Sequence, residues 1–134
     1  MELNDIYQRF PYAADCSLYL EHLYWQGKPR CPYCGSLNSS VDWSVRRHHC
    51  NRCHTGFSVT VGTPFHRSHL PLQKWFLAIV LLREDRNISV RRLAKTLRVN
   101  KNTSARMIAQ IDSATAKASE RALLQQIVQD VTRR

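Results

Sequence analysis

Two Cys-x-x-Cys pairs, Cys31-Pro-Tyr-Cys34 and Cys50-Asn-Arg-Cys53, stand fifteen residues apart. No other feature limits the fold so tightly. Each pair closes a tight loop that aims two sulfurs at one point, and a hairpin between the loops brings the four together. That donor set and spacing read as a four-thiolate Zn²⁺ site, with Zn–S distances of about 2.3 Å. A segment this small builds too little apolar core to fold alone, so the metal supplies much of its folding free energy. Two other readings compete for the same residues. Cys50-Asn-Arg-Cys53-His54 fits a c-type haem attachment pattern, which leaves Cys31 and Cys34 unexplained and requires export. A three-Cys-one-His site using His48, His49 or His54 breaks the symmetry of the two pairs. The expectation is therefore Zn²⁺ held by Cys31, Cys34, Cys50 and Cys53.

Five cysteines, an odd number, argue against a disulfide framework and for a reducing cytosol. The acidic start, Met-Glu-Leu-Asn-Asp, has no cationic stretch leading into an apolar one, so no secretory signal is expected. The longest apolar run, Trp75 to Leu82, is too short to cross a bilayer, and no membrane partner is expected. Cys16, remote from the pairs, reads as a buried thiol. The formal net charge is +10, and it is unevenly spread. Residues 1–27 hold one Lys/Arg against four Asp/Glu, residues 28–70 six against one, and residues 71–134 thirteen against five. The positive charge thus lies in the cysteine region and beyond it. Such a balance suggests a polyanionic partner, most simply nucleic acid, and a place in the cytoplasm close to the nucleoid.

In order, the chain reads as a small α+β protein of four segments. Residues 1–27 form an N-terminal helical cap, with Pro11 in a first turn, Leu18, Tyr19, Leu23, Tyr24 and Trp25 at helical spacing, and Gly27 as the stop. Residues 28–70 form a zinc ribbon and its connector. Short strands are expected in Ser40-Val41-Asp42-Trp43, Ser44-Val45-Arg46 and Phe57-Ser58-Val59-Thr60-Val61, where polar and apolar residues alternate. In the connector, His66 and His69 lack a third ligand and read as solvated or phosphate-facing. Residues 71–112 open with a helix over Leu72–Arg83 that is apolar all round, hence central, and is expected to join its flanking modules in one core.

Beyond it, Ser89 is a good N-cap, and Val90, Leu93, Ala94 and Leu97 make an apolar stripe. Arg98-Val99-Asn100 breaks the period, and a second helix turns Ser104, Met107, Ile108 and Ile111 inward. Two short helices joined by so brief a turn are the helix-turn-helix layout. The second helix would then present Lys101, Asn102, Thr103, Arg106 and Gln110 outward, side-chain types that read base edges in a major groove. Arg91, Arg92 and Lys95 on the first helix would meet phosphates, joined by Arg46 and Arg47 of the basic ribbon. Residues 113–134 form a C-terminal helix whose stripe of Leu123, Leu124, Ile127, Val128 and Val131 serves either a homodimer or a fold-back on the core.

These residues resemble the N-terminal region of insertion-sequence transposases of the DDE class that open with a zinc ribbon. Phe10-Pro11, the Cys31-Pro-x-Cys34-Gly35 and Cys50-x-x-Cys53 knuckles, Phe57-Ser58-Val59-Thr60, Gly62-Thr63-x-Phe65-His66-x-Ser68 and Pro71-Leu72-x-Lys74-Trp75-Phe76 carry the likeness. It runs from about Phe10 to Ile111 and is loosest in the helix-turn-helix, where Arg98 replaces a turn glycine and Ala105 an aromatic. The resemblance implies a module that recognises double-stranded DNA for a catalytic domain. A DDE domain needs three carboxylates holding two Mg²⁺ ions, and Asp112, Glu120 and Asp130 lie in a short tail. The expectation is a non-enzyme: a sequence-selective DNA-binding protein, a transposase-derived transcriptional regulator. Its alternatives are the recognition subunit of a transposase whose DDE chain is encoded separately, and a module docking on a protein partner such as the transcription machinery.

Overall fold

Pro11 ends one helix instead of opening the next. In the computed structural model, which describes residues 1–44, 47–66 and 68–133, α1 spans Leu3–Arg9 and α2 spans Ala13–Trp25. Proline pushes the residue before it away from helical geometry, and Phe10 takes φ −128° and ψ 77° as the cap of α1. The single cap expected over residues 1–27 is thus two helices. They serve different cores, because the chain divides into two compact units, Ala14–Ser68 and Met1–Ala13 with His69–Arg134.

The first unit is the ribbon. It adds to α2 a three-stranded antiparallel sheet, β1 (Ser39–Asp42), β2 (Arg47–Cys50) and β3 (Gly56–Phe57), in the order β1-β2-β3. Ser39 faces Cys50, Val41 faces His48, and His48 faces Phe57 across the ladders. This register turns His48 and Cys50 inward and leaves Arg47 and His49 exposed. The middle strand lies later than expected. Ser44 belongs to a turn in which Asp42 Oδ1 accepts its N–H at 3.0 Å and its hydroxyl at 2.6 Å, a local bond that competes with the ladder. Val45 and Arg46, the rest of the expected strand, lie outside the described residues. The third strand is also shorter than expected. Only Gly56 and Phe57 find partners on β2, and the chain then turns, with Thr63 N–H and hydroxyl both donating to the Thr60 carbonyl. One apolar cluster joins Cys31, Cys50 and Phe57, with Trp25, Cys53 and Val61 packed against it, and Cys16, Leu20, Val59 and Phe65 are buried as well.

The second unit is helical. α3 (Leu72–Glu84) is buried from Trp75 through Val80, as an all-round apolar helix must be. α1, α4 (Val90–Leu97), α5 (Lys101–Thr115) and α6 (Ala118–Thr132) all pack on it. Phe10 meets Phe76 edge-on at 5.3 Å, and Gln73 Nε2 donates to the Phe10 carbonyl at 2.9 Å. α3 belongs to the helical unit, where α1, α4, α5 and α6 share its core, and the ribbon residues form a unit of their own. α6 folds back and buries Leu124, Ile127 and Val131, so its stripe is spent on α3 and α5. Among the described residues no helix is long and apolar enough to cross a membrane.

Candidate metal centre and nucleic-acid interface

In the ribbon, both cysteine pairs build the same loop. The Cys31 carbonyl accepts the Gly35 N–H at 2.9 Å and the Cys31 N–H donates to Ser36 O at 3.0 Å. The second loop repeats this with the Cys50 carbonyl accepting the His54 N–H at 2.9 Å and the Cys50 N–H donating to Thr55 O at 3.0 Å. The residue after each pair is left-handed, Gly35 at φ 77° and His54 at φ 63°. All four sulfurs lie within 4.8 Å of one another. Cys31 and Cys53 are 3.7 Å apart and Cys34 and Cys50 3.5 Å. A tetrahedron with Zn–S bonds of about 2.3 Å has edges of about 3.8 Å, so the cluster fits a four-thiolate ion with little adjustment. Among the described residues no other group of three or more His, Cys, Asp or Glu converges in this way.

The electrostatics agree with a cation at that point. Hydrogen bonds from Thr55 lower the Cys53 thiol to about 6, and the Cys53 N–H, 3.4 Å from Cys50 Sγ, lowers Cys50 as well. At Cys34 the Ser36 amide pulls downward, but desolvation and sharing of protons with Cys50, Cys31 and Cys53 outweigh it and raise the thiol to about 11. Four thiolates so close together repel without a positive ion; a divalent metal removes that conflict and displaces the remaining protons. Zn²⁺ held here would act as a structural clamp, because a closed four-sulfur shell leaves no open position for chemistry. The histidines weighed as alternative ligands do other things. His48 is buried, stacked on Phe57 at 5.4 Å and edge-on to Trp25 at 4.9 Å, with Nε2 3.6 Å from Glu21 Oε1. His49 and His54 are exposed, their rings 5.9 Å apart.

In the helical unit, α4 and α5 are joined by three residues. Ser89 Oγ caps α4 by accepting the Arg92 N–H at 3.1 Å, and Asn100 Oδ1 caps α5 by accepting the Thr103 N–H at 2.7 Å. The reversal between them is made by Arg98 in the left-handed region, φ 58° and ψ 48°, with the Val99 N–H on the Ala94 carbonyl at 3.0 Å. Buried Ser104 donates its hydroxyl to the Val90 carbonyl at 2.9 Å and ties the two helices. Ser104, Met107 and Ile111 face inward and Ile108 is half-buried.

Arg91, Arg92 and Lys95 on α4, and Lys101, Asn102, Arg106 and Gln110 on α5, are all exposed; Thr103 is half-buried. Arg47 is exposed on β2 in the ribbon, and Arg46 lies outside the described residues. Sequence reasoning missed two positions on the same face of α5. Ala105 and Ala109 are exposed between the polar residues, and their spacing from Asn102 and Arg106 was the available signal. It also missed Arg98, exposed at the turn, whose carbonyl accepts Lys74 Nζ at 3.2 Å.

These features define a four-cysteine ribbon module and, in a separate unit, a set of capped basic helices. Residues 13–56 match the transposase zinc-ribbon domain family. The match starts at α2 and so takes in the helix whose Trp25 packs on Phe57, fifteen residues before the ribbon boundary expected at residue 28. No curated protein and no solved structure matches the chain significantly.

Proposed function

We propose that the protein is a sequence-selective double-stranded DNA-binding protein, a transposase-derived transcriptional regulator of the nucleoid. The observation that carries this reading is the outer face of α5. Its N-terminal turns hold exposed Lys101, Asn102, Arg106 and Gln110 around exposed Ala105 and Ala109. Arg forks to guanine O6/N7, Asn and Gln pair with adenine, and alanine methyls meet thymine methyls. The small residues let the helix sit deep in a groove, while Arg91, Arg92 and Lys95 of α4 meet phosphates. The transposase-type ribbon supports a nucleic-acid role independently. A non-catalytic role is part of the proposal: Asp112, Glu120 and Asp130 are spread over α5 and α6, and a closed zinc shell is structural.

Selection of bound sequences from random duplexes, using zinc-loaded protein, tests this and should return one enriched motif. Arg106→Ala or Asn102→Ala should relax preference at a single position by about 1–3 kcal/mol. Arg91→Ala should weaken every sequence alike and reduce the salt slope by about one. Equal losses on all sequences for all three variants would remove α5 from the groove.

The ribbon match also favours a second reading, the non-catalytic recognition subunit of a transposase working with a separately encoded DDE chain. Preference for inverted repeats and co-purification with a DDE protein would select it; occupancy at promoters would select the regulator. Docking on a protein partner replaces both if no duplex is bound even at low salt. A palindromic motif with half-sites one helical turn apart would indicate a two-fold dimer. Such a dimer would use a surface other than the α6 stripe.

A further inference from the structure

Between α3, α5 and α6 the helical unit leaves an open cavity of about 300 Å³, and nothing in DNA reading uses it. Its floor is apolar and fixed by packing: Ile79, Ile111 and Leu124 are each 3% exposed. Half-buried Leu82 and Val128 form the sides. The rim is cationic. Arg83 lies in the last turn of α3, Arg86 in the turn after it, and Arg121 near the start of α6. Asp112 is the one carboxylate in the lining. Among the described residues none of the three guanidiniums has a carboxylate within 4.0 Å.

We propose that this cavity binds a small amphipathic organic anion, a carboxylate on an apolar body. The body would lie on Ile79, Ile111 and Leu124, and the carboxylate would meet the arginine rim. Three considerations choose this ligand. The volume sits at the lower end of the range for small-molecule sites, about 300–1,000 Å³, and an apolar floor with a few convergent polar groups is their usual lining. Guanidinium forks bind carboxylates bidentately, and here three of them stand against one opposing charge. An inorganic anion or a phosphate backbone would satisfy the rim but gain nothing from the floor; a neutral apolar molecule would do the reverse.

The test is calorimetric titration of the zinc-loaded full chain with octanoate at fixed ionic strength, with octanamide and sulfate as controls. Octanoate should bind one per chain, and both controls about tenfold or more weaker, since each lacks half of the recognition. Arg83→Gln combined with Arg121→Gln should remove octanoate binding and leave duplex affinity unchanged. Asp112→Asn should tighten octanoate several-fold. These side chains are exposed, so the variants keep their fold. Gln125→Trp, also at an exposed lining position, should block the cavity without touching the arginines. Equal binding of octanoate and sulfate would show a cationic patch only. Loss of duplex affinity in the double arginine variant would assign the rim to DNA. Either result, or no octanoate heat up to about 10 mM, well beyond millimolar affinity, overturns the proposal.

Discussion

His54 and Gly35 occupy the same station in the two knuckles, and the comparison explains a histidine that invites misreading. Both residues are left-handed and both donate their N–H to the first cysteine's carbonyl. His54 is there for its backbone, and pays with the strain that any side chain meets in that region. Arg98, at φ 58°, does the same at the end of α4, where glycine is the usual solution. Either His54→Gly or Arg98→Gly should therefore raise stability, by about 1 kcal/mol, read as a shift in denaturant midpoint with unchanged m-value. His54→Gly should also leave one zinc per chain, which a site ligated by His54 could not. Thiol chemistry separates the remaining roles. Cys16 is buried and raised to about 12, first by desolvation and then by Asp15, so at pH 8 it stays protonated and unreactive. Iodoacetamide should label none of the five cysteines quickly in the zinc-loaded protein. After chelation the ribbon unfolds and these environments are lost, so all five should become labelled at similar rates, Cys16 included. Acidification below about pH 6 should weaken zinc binding, as protons then compete for Cys53 as well.

Among the elements, α6 decides between two uses that its stripe of apolar residues allowed equally. Burial of Leu124, Ile127 and Val131 against the chain's own helices makes it part of the core. Ile127→Ala should cost about 2–5 kcal/mol through the cavity it leaves. Its melting temperature should not depend on protein concentration, whereas a stripe closing a dimer would make it do so. The same contrast marks what sequence reasoning can reach. The knuckles were legible because metal-ligand spacing is local and leaves few alternatives. α4 and α5 were legible because Ser89 caps α4 in the structure and the stripe from Val90 to Leu97 has one period. Local chemistry misled where partners at a distance decide. Pro11 suits a helix start or a helix stop, and only the Phe10–Phe76 contact, set by tertiary packing, shows which. Alternation in Ser44-Val45-Arg46 suggested a strand, but Ser44 is held in the Asp42 turn, and the described pairing of β2 runs over Arg47–Cys50. The place of α2 in the ribbon depends on Trp25 finding Phe57 and His48, which no spacing rule reports.

At the scale of the whole molecule, the two units draw stability from different sources. Among the described residues the ribbon has three short strands and few large buried side chains, chiefly Leu20, Phe57 and Phe65 with the cysteines, a size at which folds usually need a cross-link. Among the described residues the helical unit holds five of the six helices, the fully buried Trp75, Phe76, Leu77, Leu93 and Leu97, and no cluster of metal-ligating side chains. Removing zinc should therefore unfold residues Ala14–Ser68 and spare the rest. With zinc bound, calorimetry should show the ribbon transition moving with free zinc concentration, because an ion that binds only the folded form stabilises it by mass action. With a strong chelator present, that transition should vanish while most helical circular dichroism persists. Duplex binding then becomes the informative readout. If α4 and α5 alone read sequence, the chelated protein should keep its preferred motif and lose only affinity, with a shallower salt dependence from the basic ribbon residues it no longer positions. If the preferred motif itself changes, base reading extends into the ribbon, and the assignment of specificity to Asn102, Arg106 and Gln110 alone would be wrong.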